Sequence, residues 1–442
     1  MSSIVLSRPT SSTPTDHGRP AATALLPVVG ADTEVPLVTG GRIGYVGLDT
    51  AASAPALTAV ADRVAETLPL YASVHRGAGY LSQVSTALYE TARDTVAAFV
   101  GARSGDVCVF TRHTTDALNL LAASVPVGES VLVLDCEHHA DLLPWQRRGP
   151  VTVLPTQATV TATLRSLAEA LAAGRHALVA VTGASNVTGE SLPLDVVVEL
   201  AHAAGARVVV DGAQSVPHRR FSLADSGADY VAFSGHKTYA PFGAGALVGR
   251  RDWLDAAPAY LAGGGAVQEV TVEETTWATA PHRHEGGSPN VLGAVALAAA
   301  CDALAALPDG ALEAHERALR ERLERGLRAI PGVRLLRIWT DSTEPTGVVS
   351  FTVEGADPGL VAAYLSAEHG VGVRDGRFCA HPLLARLGVP GGALRSMSAA
   401  VVPYAVVEGR WQPRHDPRPL AGLAGADLRA VTRGAGCGPA AR

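Results

Sequence analysis

The sequence predicts an α/β protein with a large domain on a mainly parallel sheet and a smaller C-terminal α+β domain. Short apolar, β-branched runs alternate with helical patterns across about residues 100–250, which is typical of strands buried on both faces of a parallel sheet. The 442 residues are long enough for two domains. We expect a flexible leader at 1–35, the large domain at 36–309, the small domain at 310–412 and a tail at 413–442.

The elements of the large domain follow in chain order. RIGYVG, from Arg42, predicts a short strand, and the apolar spacing of residues 86–99 predicts a helix. Further strands are predicted at VCVFT, SVLVLD, PVTVLP, HALVAVTG, RVVVDG, YVAFSG and GALVG. Helices are predicted at TTDALNLLAAS, after the EHHAD turn, at LPLDVVVELAHAAG and at the alanine-rich NVLGAVALAAACDALAAL.

The small domain is predicted from a change of pattern near residue 310. EAHERALRERLERGLRAI carries so many charges that it predicts a solvated surface helix. Strand and helix patterns return after Pro331, in VRLLRIW, GVVSFTV, LVAAYLSAEH and GVGVRDG.

Composition excludes several classes of function. The net charge of −6, with no basic stripe, argues against a nucleic-acid partner. Five widely spread cysteines fit neither a disulfide framework nor a paired zinc motif, so a reduced, cytoplasmic protein is expected. No apolar run reaches the roughly 18–20 residues of a membrane span, and the N-terminus lacks an export signal.

Lys237 is the only lysine in the chain. Arginine can replace lysine wherever a positive charge is enough, but it cannot be deprotonated near neutral pH and forms no imine. We therefore expect Lys237 to be kept for the chemistry of its amine.

Asp211 ends the apolar strand RVVVD, and Gln214 follows three residues later. Ligands of open α/β sheets bind at the carboxyl ends of strands, although a lone aspartate there can simply cap the next helix. An acid that keeps a pyridine nitrogen protonated, together with a lysine for the aldehyde, is the minimum set for pyridoxal phosphate chemistry.

A phosphate needs donors at a helix N-terminus. Thr114 and Thr115 open a predicted helix directly after a strand, where either could be only an N-cap. Ser234 and His236 precede Lys237. A P-loop is excluded because it needs glycine immediately before the lysine, and no GxGxxG joins a strand to a helix.

His138 and His139 raise the question of a metal site. Adjacent residues on a turn point in different directions, and neither HExxH nor CxxC accompanies them, so no metal is predicted. Stacking of an imidazole on an aromatic cofactor is the better explanation.

Cys379 and Arg395 are the candidates nearest the C-terminus. An isolated cysteine is usually an inert small hydrophobe. Cys379 lies in VGVRDGRFCAHPLL, where Arg374, Arg377 and turn residues favour an accessible thiolate. Arg395 could clamp a carboxylate through paired hydrogen bonds, with a surface ion pair as the alternative.

These motifs resemble the class V aminotransferase group of pyridoxal-phosphate enzymes, and within it the SufS-like cysteine desulfurases and selenocysteine lyases. The resemblance covers about Leu48 to Arg395 and includes LDTAASAP, SVHRG, TRHTTDALNL, EHHADLLPWQ, ASNVTGE, VDGAQSV, FSGHKTYAPFGAGAL, ETTWATAP, HEGGSPN and VRDGRFCAHPL. It implies fold type I of the PLP-dependent transferases, with pyridoxal 5'-phosphate as cofactor.

The resemblance also implies a role for each candidate around the cofactor. Lys237 would bind it covalently, Asp211 would pair with its pyridine nitrogen, and Gln214 would contact its ring hydroxyl. His138 would stack on the ring. The phosphate would be held by Thr114, Thr115, Ser234 and His236.

Other implied roles concern the substrate and the assembly. Asn186 and Arg395 would bind the substrate amino acid, and Cys379 would accept its sulfur. Ser288 would reach the phosphate of the neighbouring subunit, which implies a homodimer. A sulfur-acceptor protein is then a further expected partner.

The sequence departs from this family at three places. His113 stands where the family usually has glycine in the phosphate turn, and RDGRFCA replaces the common RTGHHCA. The usual YNT and acidic helix after Arg395 are replaced by AAVVPYAVVEGRW.

The expected reaction is removal of sulfur (or selenium) from L-cysteine (or selenocysteine) through a persulfide on Cys379, with release of alanine. One alternative is another class V reaction on a different amino acid: an aminotransferase, epimerase or C–S lyase that uses Lys237 without Cys379. Another is a non-catalytic binding protein that keeps the fold, which the set of Lys237, Asp211 and Gln214 argues against.

Overall fold

The computed structural model describes residues 24–397. Within them the strands are β1 (Glu34–Pro36), β2 (Arg42–Gly44), β3 (Val46–Gly47), β4 (Val107–Thr111), β5 (Val131–Leu134), β6 (Val151–Leu154), β7 (Leu178–Thr182), β8 (Arg207–Asp211), β9 (Tyr230–Ser234), β10 (Gly245–Gly249), β11 (Val267–Val270), β12 (Thr275–Trp277), β13 (Val333–Leu335), β14 (Val348–Val353), β15 (Val371–Gly372), β16 (Arg374–Gly376) and β17 (Ala393–Met397).

The α-helices of the same residues lie between these strands. They are α1 (Thr58–Thr67), α2 (Tyr80–Phe99), α3 (Thr114–Ser124), α4 (Leu143–Arg148), α5 (Val160–Ala173), α6 (Leu194–Ala203), α7 (Leu223–Ser226), α8 (Asp252–Ala256), α9 (Val291–Ala305), α10 (Ala311–Arg328), α11 (Pro358–His369) and α12 (His381–Arg386). Short 3₁₀ turns span Leu68–Leu70, His139–Asp141 and His282–His284.

A seven-stranded sheet with the order β4-β10-β9-β8-β7-β5-β6 forms the centre of the large domain. The strands from β9 to β6 are all parallel. β10 alone is reversed, because it runs antiparallel to both β4 and β9. The prediction of an α/β domain on a mainly parallel sheet is confirmed.

Helices cover both faces of this sheet, and alternate residues of each strand belong to different cores. On β8, Val208 and Val210 pack in one cluster with α2, α5, α6 and α9, and Val209 packs in the other with α3, α4 and α8. Each fully buried valine or leucine contributes roughly 1.5–3 kcal/mol relative to an exposed one. Burial on both faces explains why the strands read as continuous apolar runs.

Helix α9 is apolar on all sides because it is buried on nearly all sides. The side chain of Asn290 begins it by accepting a hydrogen bond from the Gly293 amide at 2.9 Å. Of the helices within residues 24–397, none is both long and apolar enough to cross a membrane.

The later residues form a separate antiparallel sheet with the order β13-β14-β17-β16. Leu327 of α10 and Ala362 of α11 pack against Phe351 and Leu394 of this sheet. β3 pairs in parallel with β15, through Val46 opposite Val371. The short strand that follows the predicted leader therefore lies against the small domain.

Residues 24–35 belong to the predicted leader, yet part of this segment is packed. Val28 is buried and pairs with Leu57, and the Val29 amide donates to the Ala56 carbonyl at 2.8 Å. The predicted boundary at residue 35 thus falls within packed chain. Residues 1–23, the end of the predicted small domain from 398 and the predicted tail at 413–442 lie outside the described residues.

Helix α10 was predicted to be a solvated surface helix, and that interpretation is wrong for one of its faces. Leu312, Leu319 and Leu327 are buried, as are Glu316 and Arg320. These residues recur every three, four or seven positions, so they share one face. Dense charge on the other face conceals this stripe in the sequence.

Candidate active site

The candidate residues meet at the carboxyl edge of the main sheet. Asp211 is the last residue of β8 and Ser234 the last of β9, and α3 begins at Thr114, three residues after β4 ends. This edge is where open α/β sheets bind ligands. The topology therefore explains why residues far apart in sequence converge here.

Lys237 lies in the turn that follows β9, with its amide donating to the Ser234 carbonyl at 3.2 Å. Desolvation lowers the pKa of its amine to about 8, and the negative charge of Asp211 opposes that shift. At pH 7 about a tenth of this amine is therefore unprotonated, far more than for a lysine with its ordinary pKa of about 10.4. The only lysine is thus prepared for nucleophilic attack and proton transfer.

Asp211 lies close enough to Lys237 for their charges to interact, and both Asp211 and Gln214 are buried. Burial raises the pKa of Asp211, and the charge of Lys237 lowers it. Asp211 Oδ1 accepts from the Ala213 amide at 3.0 Å. Gln214 Nε2 donates to the Ala51 carbonyl at 2.7 Å, whereas Gln214 Oε1 has no partner among the described residues. A buried acceptor without a donor indicates a missing ligand with a hydroxyl or N–H group.

The N-terminus of α3 lies at one end of the site, where its free amide donors could bind an anion. Thr114 is buried, and both its amide and its hydroxyl contact Ser234 Oγ, at 2.7 and 2.6 Å. Thr115 is exposed at the helix start. Desolvation, followed by the charge of Lys237, lowers the pKa of His236 to about 4, so its ring is neutral at pH 7.

His113 explains one departure from the family pattern. It is the N-cap of α3, and its Nδ1 accepts from the Asp116 amide at 3.1 Å. Its φ of −174° is extended backbone, which any residue adopts. A histidine can therefore replace glycine here while keeping the helix start intact.

His138 is held by the turn between β5 and α4. Its Nδ1 accepts from the Ala140 amide at 3.0 Å. Desolvation, and next the charge of Lys237, lowers its pKa to about 3. The ring is therefore neutral and close to Lys237, which suits stacking on an aromatic ring.

Cys379 lies in a strained loop between β16 and α12. Phe378 and Cys379 have φ values of +51° and +53°, a left-handed conformation that costs about 1–3 kcal/mol for a non-glycine residue. Asn186 Nδ2 donates to the Phe378 carbonyl at 2.7 Å, and the His139 amide donates to the Cys379 carbonyl at 2.8 Å. These two bonds hold the loop against the large domain.

Arg395 is buried beside the same loop. Its Nη1 donates to the Asn186 carbonyl at 2.9 Å, and its Nη2 lies 3.3 Å from Asp49 Oδ1. The guanidinium lies 5.1 Å from the centre of the Phe378 ring. Arg395 Nε has no partner among the described residues, so it remains a donor for a carboxylate.

Ser288, like Thr115, is a candidate whose side chain is not linked by a hydrogen bond to another candidate within the described chain. It is exposed, in a loop that Arg76 holds: Arg76 Nη2 donates to the carbonyls of Gly264 and Gly287, at 2.6 and 3.1 Å.

Sequence reasoning missed three contributors to the site. Asp49 binds Arg395, the Ala51 carbonyl orients Gln214, and the carbonyl of Phe378 is the anchor for Asn186. The LDTAASAP block contains the first two. In the sequence this block shows only a resemblance to the family, because a carboxylate after a short strand carries no local sign of its distant partner.

A group that could hold a metal occurs elsewhere in residues 24–397, away from His138 and His139. One ligand atom each of His75, Glu90 and His282 lies within 4.8 Å of the others. Glu90 Oε2 already accepts from Arg93 Nε at 2.9 Å, so an arginine satisfies part of this carboxylate.

The residues present fit pyridoxal 5'-phosphate as a cofactor. A lysine amine with a lowered pKa suits its aldehyde, a buried carboxylate suits its pyridinium, and the start of α3 suits its phosphate. The unpartnered Gln214 Oε1 supplies an acceptor in the same place.

Comparison with known proteins identifies the family. Residues 46–404 match the model of the aminotransferase class-V family. The chain is 39% identical over 365 residues to a cysteine desulfurase of Dickeya dadantii, covering 80% of this chain and 87% of the relative. It is 36% identical over 366 residues to a probable cysteine desulfurase of Vibrio cholerae, covering 80% and 89%.

Solved structures agree with this assignment. The apo cysteine desulfurase of Thermococcus onnurineus aligns with a TM-score of 0.75 at 30% identity, over 88% of this chain and 95% of the other. The S-sulfonic acid form of a cysteine desulfurase of Escherichia coli aligns with a TM-score of 0.71 at 34% identity, over 88% and 94%. The chain therefore belongs to the aminotransferase class-V family of PLP-dependent enzymes.

Proposed function

We propose that this enzyme is a cysteine desulfurase that removes sulfur from L-cysteine and releases alanine. The observation that carries the proposal is the placement of Cys379: its loop is bonded to His139 and Asn186 of the large domain, and its thiol lies close enough to Lys237 and Arg395 for their charges to interact. The relatives described as cysteine desulfurases cover most of the chain. A thiol next to the reactive amine distinguishes a desulfurase from a simple transaminase.

The cofactor in this proposal is pyridoxal 5'-phosphate, held by Lys237 and oriented by Asp211 and Gln214. His138 would stack on its ring, and Thr114, Thr115, Ser234 and His236 would bind its phosphate. When bound, the group supplies an electron sink that stabilises negative charge on substrate carbon.

The protein binds and orients the substrate through a small number of side chains. Arg395 donates to the substrate carboxylate, and Asn186 supports both Arg395 and the Cys379 loop. Lys237, with its pKa of about 8, takes the α-proton as a general base. Burial raises the pKa of Asp211, and Lys237 and the Ala213 amide oppose that shift in favour of the ionised form.

Sulfur transfer is then carried out by Cys379. Its thiolate attacks the sulfur of the substrate, so that an S–S bond forms and the carbon–sulfur bond breaks. The electron pair of the broken bond stays on carbon, which takes up a proton and leaves as part of alanine. The persulfide on Cys379 passes to an acceptor protein or a small thiol.

Alanine formation in the presence of a reductant tests this function. We expect alanine and sulfide in equal amounts from L-cysteine, and alanine with selenide from selenocysteine. Cys379→Ala should abolish sulfur release from L-cysteine, and Lys237→Ala should abolish turnover altogether. Cys301→Ala, in the alanine-rich buried helix α9, is the matched cysteine control and should stay active.

A different class V reaction predicts the opposite result. An aminotransferase, epimerase or C–S lyase acting on another amino acid would turn over that substrate at full rate in Cys379→Ala. A keto acid (from an aminotransferase or C–S lyase) or the epimer of the substrate would then replace alanine among the products, and the desulfurase assignment would be wrong.

The assembly and location are part of the same proposal. The enzyme is a homodimer in which the exposed Ser288 of each subunit reaches the cofactor phosphate of the other. Its location is cytoplasmic, because the reaction needs a reduced Cys379 and disulfides persist mainly in oxidising compartments.

A further inference from the structure

Two fully buried carboxyl groups flank the histidines of the turn between β5 and α4. Glu137 and Asp141 are both 0% exposed. Glu137 Oε1 accepts from the Thr182 amide at 3.1 Å, and Asp141 Oδ1 accepts from Trp145 Nε1 at 3.2 Å. The other oxygen of each, Glu137 Oε2 and Asp141 Oδ2, has no donor among the described residues.

Two ionised carboxylates cannot satisfy each other, since both only accept hydrogen bonds. A buried charge without a donor costs several kcal/mol. A single proton between Glu137 and Asp141 removes this cost, because it supplies the missing donor and halves the charge. A hydrogen bond between the two side chains fits that arrangement.

We propose that Glu137 and Asp141 share one proton at neutral pH and act as a positioning pair for the turn that carries His138. The two residues are four apart and close this turn. The Asp141 amide donates to the His138 carbonyl at 2.8 Å, and the Ala140 amide donates to His138 Nδ1 at 3.0 Å. Joining the carboxyls therefore fixes the ring that lies next to Lys237.

The surrounding charges favour retention of the proton. Asp135 precedes the pair on the same segment, and Asp211 faces it from the end of β8. The intervening Cys136 thiol adds no negative charge at neutral pH, because burial raises its pKa. Burial is the largest cause that raises the pKa of both carboxyls. The charge of Asp211 raises the pKa of Glu137 further, and the charges of Glu137 and Asp211 raise that of Asp141. The nearby positive charge, Lys237, acts on Asp211. A second negative charge on the pair would favour protonation of Asp211, which the proposed function needs in its ionised form.

The pH dependence of stability tests the shared proton. In the unfolded chain both carboxyls are ionised at neutral pH, because their ordinary pKa values are about 4. The folded holoenzyme thus holds one more proton than the unfolded chain, and its stability falls as pH rises. We compare the unfolding equilibrium constants of the wild type and of Asp141→Asn between about pH 6 and about pH 8. The ratio of the wild-type constant to that of the variant should increase about tenfold for each pH unit.

Asp141→Asn and Glu137→Gln are matched variants. Each keeps a donor for the facing oxygen and the same net charge as the singly protonated pair, but neither can lose the proton. Urea denaturation at several pH values measures the slope. Asp252→Asn is the control, because its contact with Arg207 holds the pKa of this carboxyl below its usual range. It should keep the wild-type slope.

Two spectroscopic readouts complete the test without measuring turnover. The infrared band of a protonated, buried carboxyl should be present in the folded wild type and absent from both Asp141→Asn and Glu137→Gln. Asp141→Ala should change the absorbance spectrum of the bound cofactor, and Asp141→Asn should restore it.

The proposal is overturned if Asp141→Asn retains both the wild-type slope and the infrared band. If Asp141→Asn does not fold, the same two measurements are made on Glu137→Gln. Absence of the infrared band from the wild type would then overturn the proposal as well. The role assigned to His138 rests on the proposed function, but proton sharing does not. Suppose that Asp141→Asn loses the pH dependence of unfolding and that the wild type fails to convert cysteine. The shared proton would then be established, and only the proposed function would be rejected.

Discussion

At the scale of single residues, the amine of Lys237 carries the clearest pH dependence. Desolvation lowers its pKa to about 8, and only the unprotonated amine attacks an aldehyde. We expect the rate at which the apoprotein binds pyridoxal 5'-phosphate covalently to fall about tenfold for each pH unit below about 8. Above that value the rate should level off. Stopped-flow absorbance after mixing measures it.

Lys237→Arg is the control for this prediction, because a guanidinium keeps the positive charge but forms no imine. It should bind the cofactor without the absorbance change. A wild-type rate that still rises about tenfold per pH unit from about pH 8 to about pH 10 would contradict a lowered pKa, because a lysine amine with its ordinary pKa of about 10.4 behaves in that way.

Some residues of the site could be predicted from the sequence and others could not. Lys237 and Asp211 each follow an apolar strand, so the chain order alone places them at one sheet edge. Asp49 and Phe378 could not be found in that way, because their partners Arg395 and Asn186 lie far away in sequence. Tertiary packing alone creates such contacts.

The buried carboxyls show the same limit. In the EHHAD motif the histidines give the recognisable signal, because histidines are common metal ligands and stacking groups. The burial of Glu137 and Asp141 at 0% exposure depends on β7 and α4 packing over the turn. Charged residues in a polar turn would ordinarily be expected at the surface.

At the scale of elements, helix α3 depends on the residue that replaces the family's glycine. His113 Nδ1 satisfies the Asp116 amide, one of the free donors of the first turn. We expect His113→Ala to lower the free energy of unfolding by about 1 kcal/mol, which is typical of a lost N-cap. Urea denaturation measures this difference.

His113→Asn is the matched variant, since asparagine is among the best N-cap residues. It should keep the stability of the wild type to within a few tenths of a kcal/mol. Equal losses in the alanine and asparagine variants would mean that the imidazole acts through packing and not as a cap.

The sequence predicts strands and helices correctly where all residues of an element are equally buried. Strands such as β8 and β9 are buried along their full length, so their apolar runs are unambiguous. In α10, polar and apolar faces alternate with the helical period, and Glu316 and Arg320 are buried despite their charge. For this helix, the spacing of its apolar residues predicts the buried face better than its overall content of charged residues does.

At the scale of the whole molecule, the site joins the two predicted domains. Cys379 and Arg395 come from the C-terminal part, and their hydrogen-bond partners His139 and Asn186 come from the large domain. The thiol and the amine therefore approach each other only when the two parts are packed together. No local motif in the sequence could have shown that the Cys379 thiol and the Lys237 amine lie near each other.

Subunit exchange tests whether the site also depends on a second copy of the chain. Ser288 is exposed and lies in a loop that Arg76 holds in place. In the proposed homodimer its hydroxyl binds the cofactor phosphate of the other subunit. Losing a hydrogen bond to a charged group costs about 1.5–3 kcal/mol, so Ser288→Ala should weaken cofactor affinity by roughly 10–100-fold.

A mixture of two variants distinguishes this role of Ser288 from a purely structural one. One variant cannot bind the cofactor covalently, and the other binds it more weakly. Lys237→Ala supplies an intact Ser288, and Ser288→Ala supplies an intact Lys237. A mixed dimer of these chains contains one site in which both residues are wild type. Titration of the mixed dimer with pyridoxal 5'-phosphate should therefore recover one wild-type affinity per dimer. If Ser288 instead served its own subunit, every covalent site in the mixture would retain the weakened affinity of Ser288→Ala.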